Sequence, residues 1–171
     1  GYPVYDANQT NFVRPNIVGN AVRDNAINTK QNYADVLTGK WGVVFTPFKG
    51  FNVSGNVGLM NDNTRYNALY SEFASGSGTN GSVYVSHSRA FAVNSQVLAE
   101  YKTDFGGSDH NLDILAGFEA YRIKSQSLEG ENDHLFNPFI GELNNADGKS
   151  NMYAYSSTSN YMTQGFLGRA Q

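Results

Sequence analysis

The chain reads as an all-β protein of antiparallel strands. Three observations predict this: two-residue alternation along residues 97–123, a composition rich in strand and turn formers, and connections that switch between short and long. Val97, Ala99, Tyr101, Thr103 and Phe105 share one face, while Gln96, Glu100, Lys102 and Asp104 share the other, with Leu98 as the exception. Successive side chains of a strand point to opposite faces, so this is a strand with one apolar and one hydrated side. After the tight-turn signal Gly106-Gly107-Ser108-Asp109, Leu112, Ile114, Ala116, Phe118 and Ala120 line up opposite Asn111, Asp113, Gly117, Glu119 and Tyr121, with Leu115 as the exception. A half-buried soluble sheet alternates in the same way, so the pattern alone does not choose between water and lipid as the apolar face's neighbour.

Composition supports the class. Tyr and Phe number 11 each and Gly 18 among 171 residues, a blend poor in helix formers and rich in strand and turn formers. Lys and Arg total 12 against 15 Asp and Glu, with no basic run, which argues against a nucleic-acid partner. With no cysteine, a disulfide framework and a thiolate zinc site are both excluded. No run approaches the roughly 18 apolar residues of a helical span, while strand insertion stays open.

Along the chain, residues 1–38 are polar, Asn-rich and marked by Pro3 and Pro15, and read as loop or irregular structure. Residues 39–171 read as about six strands of one domain. Trp41, Val43, Phe45 and Pro47 alternate up to Phe48-Lys49-Gly50, and Phe51, Val53, Val57 and Leu59 alternate after it, which makes a first hairpin. A long connection is expected over 61–82, carrying Asn61-Asp62-Asn63 and a Gly/Ser run, and a second over 125–155. Between them lie a strand over 83–105 and a partner reaching about Lys124. Residues 161–171 read as a strand with no turn signal after it, so the chain reads as a piece of a longer polypeptide. Short turns on one side and long loops on the other suit an outer-membrane barrel, whose strands cross in about 9–11 residues. A secreted β-sandwich accommodates the same strands, although connections beyond about 12–15 residues are uncommon there.

Candidate chemistry is thin. Gly76-Ser77-Gly78-Thr79-Asn80-Gly81 fits G-x-G-x-x-G, but the strand-like Val83-Tyr84-Val85 follows where a dinucleotide site needs a helix. His87, His110 and His134 are too scattered for a local metal motif, and no metal site is expected from them. Glu100, Asp104, Asp113 and Glu119 can be imagined as a hydrolase pair, yet all belong to the polar face, as a hydrated wall demands. Glu129, Glu131 and Asp133 lack the order of a calcium loop. No nucleophile elbow, catalytic residue or cofactor motif is found, and the chain reads as a non-enzyme without a cofactor. Trp41, Tyr101, Phe105, Phe118 and Tyr161 fall near strand ends, as an interfacial girdle or a sandwich core would place them.

The order of these features resembles the SusC/RagA-like TonB-dependent outer-membrane transporters. The matching stretches are Thr46-Pro47-Phe48-Lys49-Gly50-Phe51, then Asn94-Ser95-Gln96-Val97-Leu98-Ala99-Glu100-Tyr101, then the run from Phe105 through His110-Asn111-Leu112 to Gly117-Phe118-Glu119, and finally Gly165-Phe166-Leu167-Gly168-Arg169-Ala170. The family's barrel carries a His-Asn-Leu opening, a Gly-Phe-Glu strand and a later Phe-x-Gly-Arg strand in this order. The resemblance covers roughly residues 40–171.

The resemblance implies a segment of a transmembrane barrel of about 22 strands in the outer membrane, with the plug domain outside this chain. The implied activity is import of nutrient oligomers, glycans or peptides. The implied partners are a SusD-like surface lipoprotein, the TonB complex acting through the plug, outer-membrane lipid and the oligosaccharide or peptide itself. No family motif fixes a ligand here. The ligand-facing candidates are therefore the polar-face residues Asn111, Asp113, Glu119, Tyr121 and Arg169, with Leu112, Ile114, Ala116 and Phe118 expected to face lipid. The alternative from the residues alone is a secreted β-sandwich that binds carbohydrate.

Overall fold

The computed structural model describes residues 21–74, 80–105, 110–148 and 152–171. Among them a short helix α1 (Ala21–Ile27) precedes five strands: β1 (Thr29–Phe48), β2 (Phe51–Tyr70), β3 (Ser82–Phe105), β4 (His110–Asp133) and β5 (Tyr153–Ala170). A single 3-10 turn, Leu143–Asn145, lies between β4 and β5. All strands belong to one antiparallel sheet in the order β1-β2-β3-β4-β5, so every strand pairs with its neighbour in the chain. The strands are 18 to 24 residues long, well beyond the average strand of globular proteins, about 5–6 residues. No described helix is long and apolar enough to cross a membrane.

Several boundaries differ from the sequence reading. Five strands are described rather than about six. β1 starts at Thr29, inside the stretch expected to be irregular up to residue 38. β2 runs through Asn61-Asp62-Asn63 to Tyr70, so the connection expected over 61–82 shrinks to 71–81. β4 continues to Asp133 and β5 begins at Tyr153, which cuts the expected 125–155 connection to 134–152. The cause is common to all: an apolar stripe is what makes a strand legible, and these segments are polar on both faces while the backbone ladder still runs through them. The Gly106 turn and most of the Gly/Ser run lie outside the described residues.

The chain divides into two units. One comprises 35–63, 89–126 and 158–171. Its β1–β2 turn depends on Gly50, whose φ of 86° lies in the left-handed region that glycine alone enters without penalty. The Gly50 carbonyl accepts the Lys102 N–H at 2.7 Å, and a Cβ at Gly50 would sit 2.1 Å from the Lys102 carbonyl oxygen. Phe48 stacks on Phe51 at 5.2 Å, and Tyr101 closes edgewise on both. At Gly117 a Cβ would lie 2.6 Å from Leu98 Cδ2 and 2.8 Å from Leu167 Cγ. Leu98, an exception to its strand's alternation, fills the slot that the missing side chain leaves on the polar face.

The other unit comprises 1–34, 64–88 and 127–157. It contains most of the buried residues, among them Ala68, Leu69, Ala74, Val83, Ser71, Asp133 and Asn145. The connections at 71–81 and 134–148 are tied together by the backbone: His134 N donates to Gly81 O at 3.1 Å and Leu135 N to Asn80 O at 3.0 Å. Side-chain amides then substitute for the missing ladder. Asn145 donates to the carbonyls of Asn137 (2.6 Å) and Ile140 (2.7 Å) while its Oδ1 accepts the Asn137 N–H. Asn132 donates to the carbonyls of Leu143 and Ala146. These bonds satisfy backbone groups that a turn leaves orphaned, and they hold Phe136 and Phe139 outward at 71% and 73% exposure.

Gly50→Ala is expected to destabilise the protein by about 1–3 kcal/mol or more, from forbidden backbone geometry plus the clash with Lys102, read as a lower urea midpoint of the refolded protein. Asn145→Ala strands buried carbonyls and is expected to cost about 1–3 kcal/mol, with faster limited proteolysis inside 134–148 as its signature. An unchanged cleavage rate there would show that the amide does not hold the loop.

Candidate functional site on the polar sheet face

Antiparallel pairing fixes which side chains meet. Asp113 and Gln171 exchange both backbone hydrogen bonds, each at 3.0 Å, so they are directly opposite on β4 and β5. Counting back by twos brings Arg169 beside Asp113, and Arg169 Nη2 donates to Asp113 Oδ2 at 3.1 Å. From β3, Lys102 Nζ lies 3.8 Å from the same carboxylate and 2.7 Å from Glu100 Oε1. Further along the same face, Asn94 Nδ2 donates to Glu119 Oε1 at 3.5 Å, and the Tyr121 and Tyr161 rings meet edge to face at 6.4 Å. Asn111 is exposed and lines an open cleft of about 350 Å³ with Lys102, Asp104, Asp113 and Gln171. The structure therefore joins Asp113 to Arg169, adds Lys102 and Glu100 to them, and gives Glu119 and Tyr121 separate partners.

Two cations and two carboxylates make this network close to neutral, and most of its atoms are half in solvent, so it adds little to stability. Asp113 Oδ1 is its one buried side-chain oxygen without a protein partner among the described residues.

The opposite face is apolar and uncovered. Phe118 and Phe166 pack at 5.0 Å, with Phe166 84% exposed, and Val57, Val97 and Ile114 are 40–48% exposed on the same side. Tyr161, weighed above with the girdle aromatics, instead lies on the polar face with Tyr121, while Tyr101 packs with Phe48 and Phe51. The side chain of Phe105 lies outside the description.

A second constellation occupies the other unit. Tyr66 and Tyr84 meet at 6.1 Å, and the Tyr84 hydroxyl donates to Glu129 Oε2 at 2.5 Å. The Ser127 and Ser157 hydroxyls are 2.7 Å apart, which extends the Asp113–Gln171 register along β4 and β5. Arg65 forks onto both Glu142 oxygens at 2.9 Å. Glu129, Glu131 and Asp133 are strand residues of β4 rather than a loop. Asp133 is buried, with His134 Nδ1 2.9 Å from its Oδ1. No group of three or more metal-ligating side chains occurs among the described residues. Sequence reasoning passed over Tyr84, Tyr66 and Lys102 as site residues, although the even-numbered register of β3 that contains Gln96 and Glu100 also contains Tyr84 and Lys102.

No protein-family model matches the chain, and no curated protein matches it. Solved structures do. The RagAB peptide transporter matches with a TM-score of 0.77 at 18% identity, over 85% of this chain and 16% of that one. The RagAB peptide importer matches with the same identity and coverage in its "open-open" state, at a TM-score of 0.76, and in its "closed-closed" state, at 0.77. At that identity the likeness establishes the fold alone: one antiparallel sheet that matches a segment of a β-barrel. The chain spans 16% of the length of each of these chains.

Asp113→Asn is expected to change stability by no more than about 1 kcal/mol, because the surrounding cations remain solvated. Removing both cations, with Lys102→Met and Arg169→Met, leaves the carboxylate half-buried and is expected to cost more than Asp113→Asn. That difference should shrink in high salt, measured by urea unfolding at low and high ionic strength.

Proposed function

We propose that this chain is a wall segment of a TonB-dependent outer-membrane importer of the SusC/RagA kind. The observation that supports it most strongly is the division of faces in the unit of 35–63, 89–126 and 158–171: charged and hydrogen-bonding side chains on one side, uncovered large apolar side chains on the other. In water an uncovered stripe of this kind is a liability, whereas against hydrocarbon it is a requirement. Asn111, Asp113, Glu119, Tyr121 and Arg169 face the lumen in this reading, and Leu112, Ile114, Ala116 and Phe118 face lipid. The β1–β2 turn lies on the periplasmic side and the connections 71–81 and 134–152 on the cell surface, since long and short connections segregate in such barrels.

The cargo is a nutrient oligomer, and the likeness to peptide importers favours peptide over glycan. A SusD-like lipoprotein is the partner at the cell surface, where the pinned loop with Phe136 and Phe139 offers an ordered apolar tip. Energy comes from the TonB complex through a plug that this segment does not include. A secreted sandwich would cover the apolar face with a second sheet; the described strands form one.

The test is single-cysteine labelling in outer membranes. With Asp113→Cys and Glu119→Cys the water-soluble thiol reagent is expected to react, and with Ile114→Cys and Phe118→Cys it is expected to fail while a lipid-soluble reagent succeeds. The reverse pattern would place the faces the other way round, and equal labelling at all four would remove the chain from the membrane.

A further inference from the structure

The two polar constellations differ in charge balance. Around Asp113, two carboxylates have a cation beside them: Lys102 serves Glu100, and Lys102 and Arg169 serve Asp113. Around Tyr84 this is not so. Glu129 accepts from the Tyr84 hydroxyl, and among the described residues no cation pairs with Glu129 or Glu131. Arg65, which lies in the same unit, is engaged by Glu142.

The rings stand where that charge is. With Asp113 opposite Gln171 and Ser127 opposite Ser157, the register of β4 and β5 puts Glu131 opposite Tyr153 and Glu129 opposite Tyr155. Tyr66 packs tilted against Tyr84 at an interplanar angle of 58°. Tyr84 thus meets Glu129 directly and carries Tyr66 beside it, while the register sets Tyr153 and Tyr155 across from Glu131 and Glu129. Tyr153 and Tyr155 are 45% and 55% exposed, so their faces are open to a ligand.

We propose that Tyr66, Tyr84, Tyr153 and Tyr155, with Glu129 and Glu131, form a subsite for a cationic side chain, arginine or lysine, of a peptide. The chemistry is direct. Ring faces carry negative quadrupole charge and attract a guanidinium or ammonium, and a carboxylate adds a charge-assisted hydrogen bond. A neutral sugar stacks on the rings but gains nothing from the net negative charge. Glu129 is fixed by the Tyr84 hydroxyl, which limits the ordering cost when a cation arrives. The subsite rests on the importer reading, since it gives the cargo its chemistry.

The experiment uses the full-length protein that carries this chain, in detergent, titrated by calorimetry with the blocked pentapeptides Ala-Ala-Arg-Ala-Ala and Ala-Ala-citrulline-Ala-Ala and with maltohexaose. Citrulline keeps the shape of arginine and removes its charge. The arginine peptide is expected to bind about tenfold more tightly than its neutral analogue. Glu129→Gln with Glu131→Gln is expected to abolish that preference while leaving the citrulline peptide unchanged, because Gln still accepts the Tyr84 hydroxyl. Tyr153→Leu is expected to weaken the preference, and Asp113→Asn to leave it intact. Equal binding of the two peptides, a preference that survives the double variant, binding of maltohexaose in place of either peptide, or no peptide binding at all would each overturn the subsite. None of these bears on the labelling pattern at 113, 114, 118 and 119, which alone decides the importer reading.

Discussion

Register along the antiparallel ladder is the constraint on which everything else in this chain depends. A strand has two faces and a period of two, so a slip of one residue between β4 and β5 would carry Arg169 to the apolar side and Phe166 to the polar side. The reciprocal Asp113–Gln171 hydrogen bonds exclude that slip at one end, and the Ser127–Ser157 pair repeats the same register farther along. Gly117 is a steric check on it, because only a residue without a side chain accommodates Leu98 and Leu167 there. The charge network contributes little energy, yet it disfavours the wrong register, which would take Arg169 away from Asp113.

The two units use that ladder under different conditions. In the unit of 35–63, 89–126 and 158–171 one face is apolar and the other charged, and side chains rather than loops hold the pattern. In the unit that contains 64–88 and 127–157, both faces of β2 and β4 carry polar residues, and order comes from hydrogen bonds instead. Asn28 Oδ1 accepts from Ser71 N, Asn132 and Asn145 clamp the second connection, and Asp133 is buried beside His134. Amide side chains can satisfy backbone groups without charge and in either direction, which suits a long connection that must be rigid without a hydrophobic core of its own.

How much of this was legible followed from which physical signal each segment carried. The β3–β4 hairpin was plain because Val97 to Phe105 and Leu112 to Ala120 carry an apolar stripe on one face only; β3 was expected over 83–105 and is observed over Ser82–Phe105. The start of β1 was hidden because residues 29–32 are polar on both faces and 33–38 show no sustained alternation, whereas Trp41, Val43 and Phe45 alternate. Asn61-Asp62-Asn63 mimicked a turn by composition, although it lies within a ladder that holds asparagine well enough in extended form. The polar face was readable as a face; its pairings were not. That Lys102 bridges Glu100 and Asp113, and that Tyr84 reaches Glu129, depends on contacts between strands that no spacing along one strand encodes.

The edges carry the last consequence. All of β5 is exposed, and so is β1 apart from Gly39, and each presents a long row of backbone donors and acceptors on its outer side. In hydrocarbon each unpaired group costs several kcal/mol, which is why spanning sheets close on themselves and why the smallest common barrels need about eight strands. A sheet of five strands cannot close. In the importer reading the neighbouring strands of the barrel must therefore pair with β1 and β5, and the register set by Asp113 and Gln171 at one edge propagates into whatever strand lies next. Charge balance is then a property of each unit by itself: Asp113 sits between Lys102 and Arg169, whereas Glu129 is met by the Tyr84 hydroxyl.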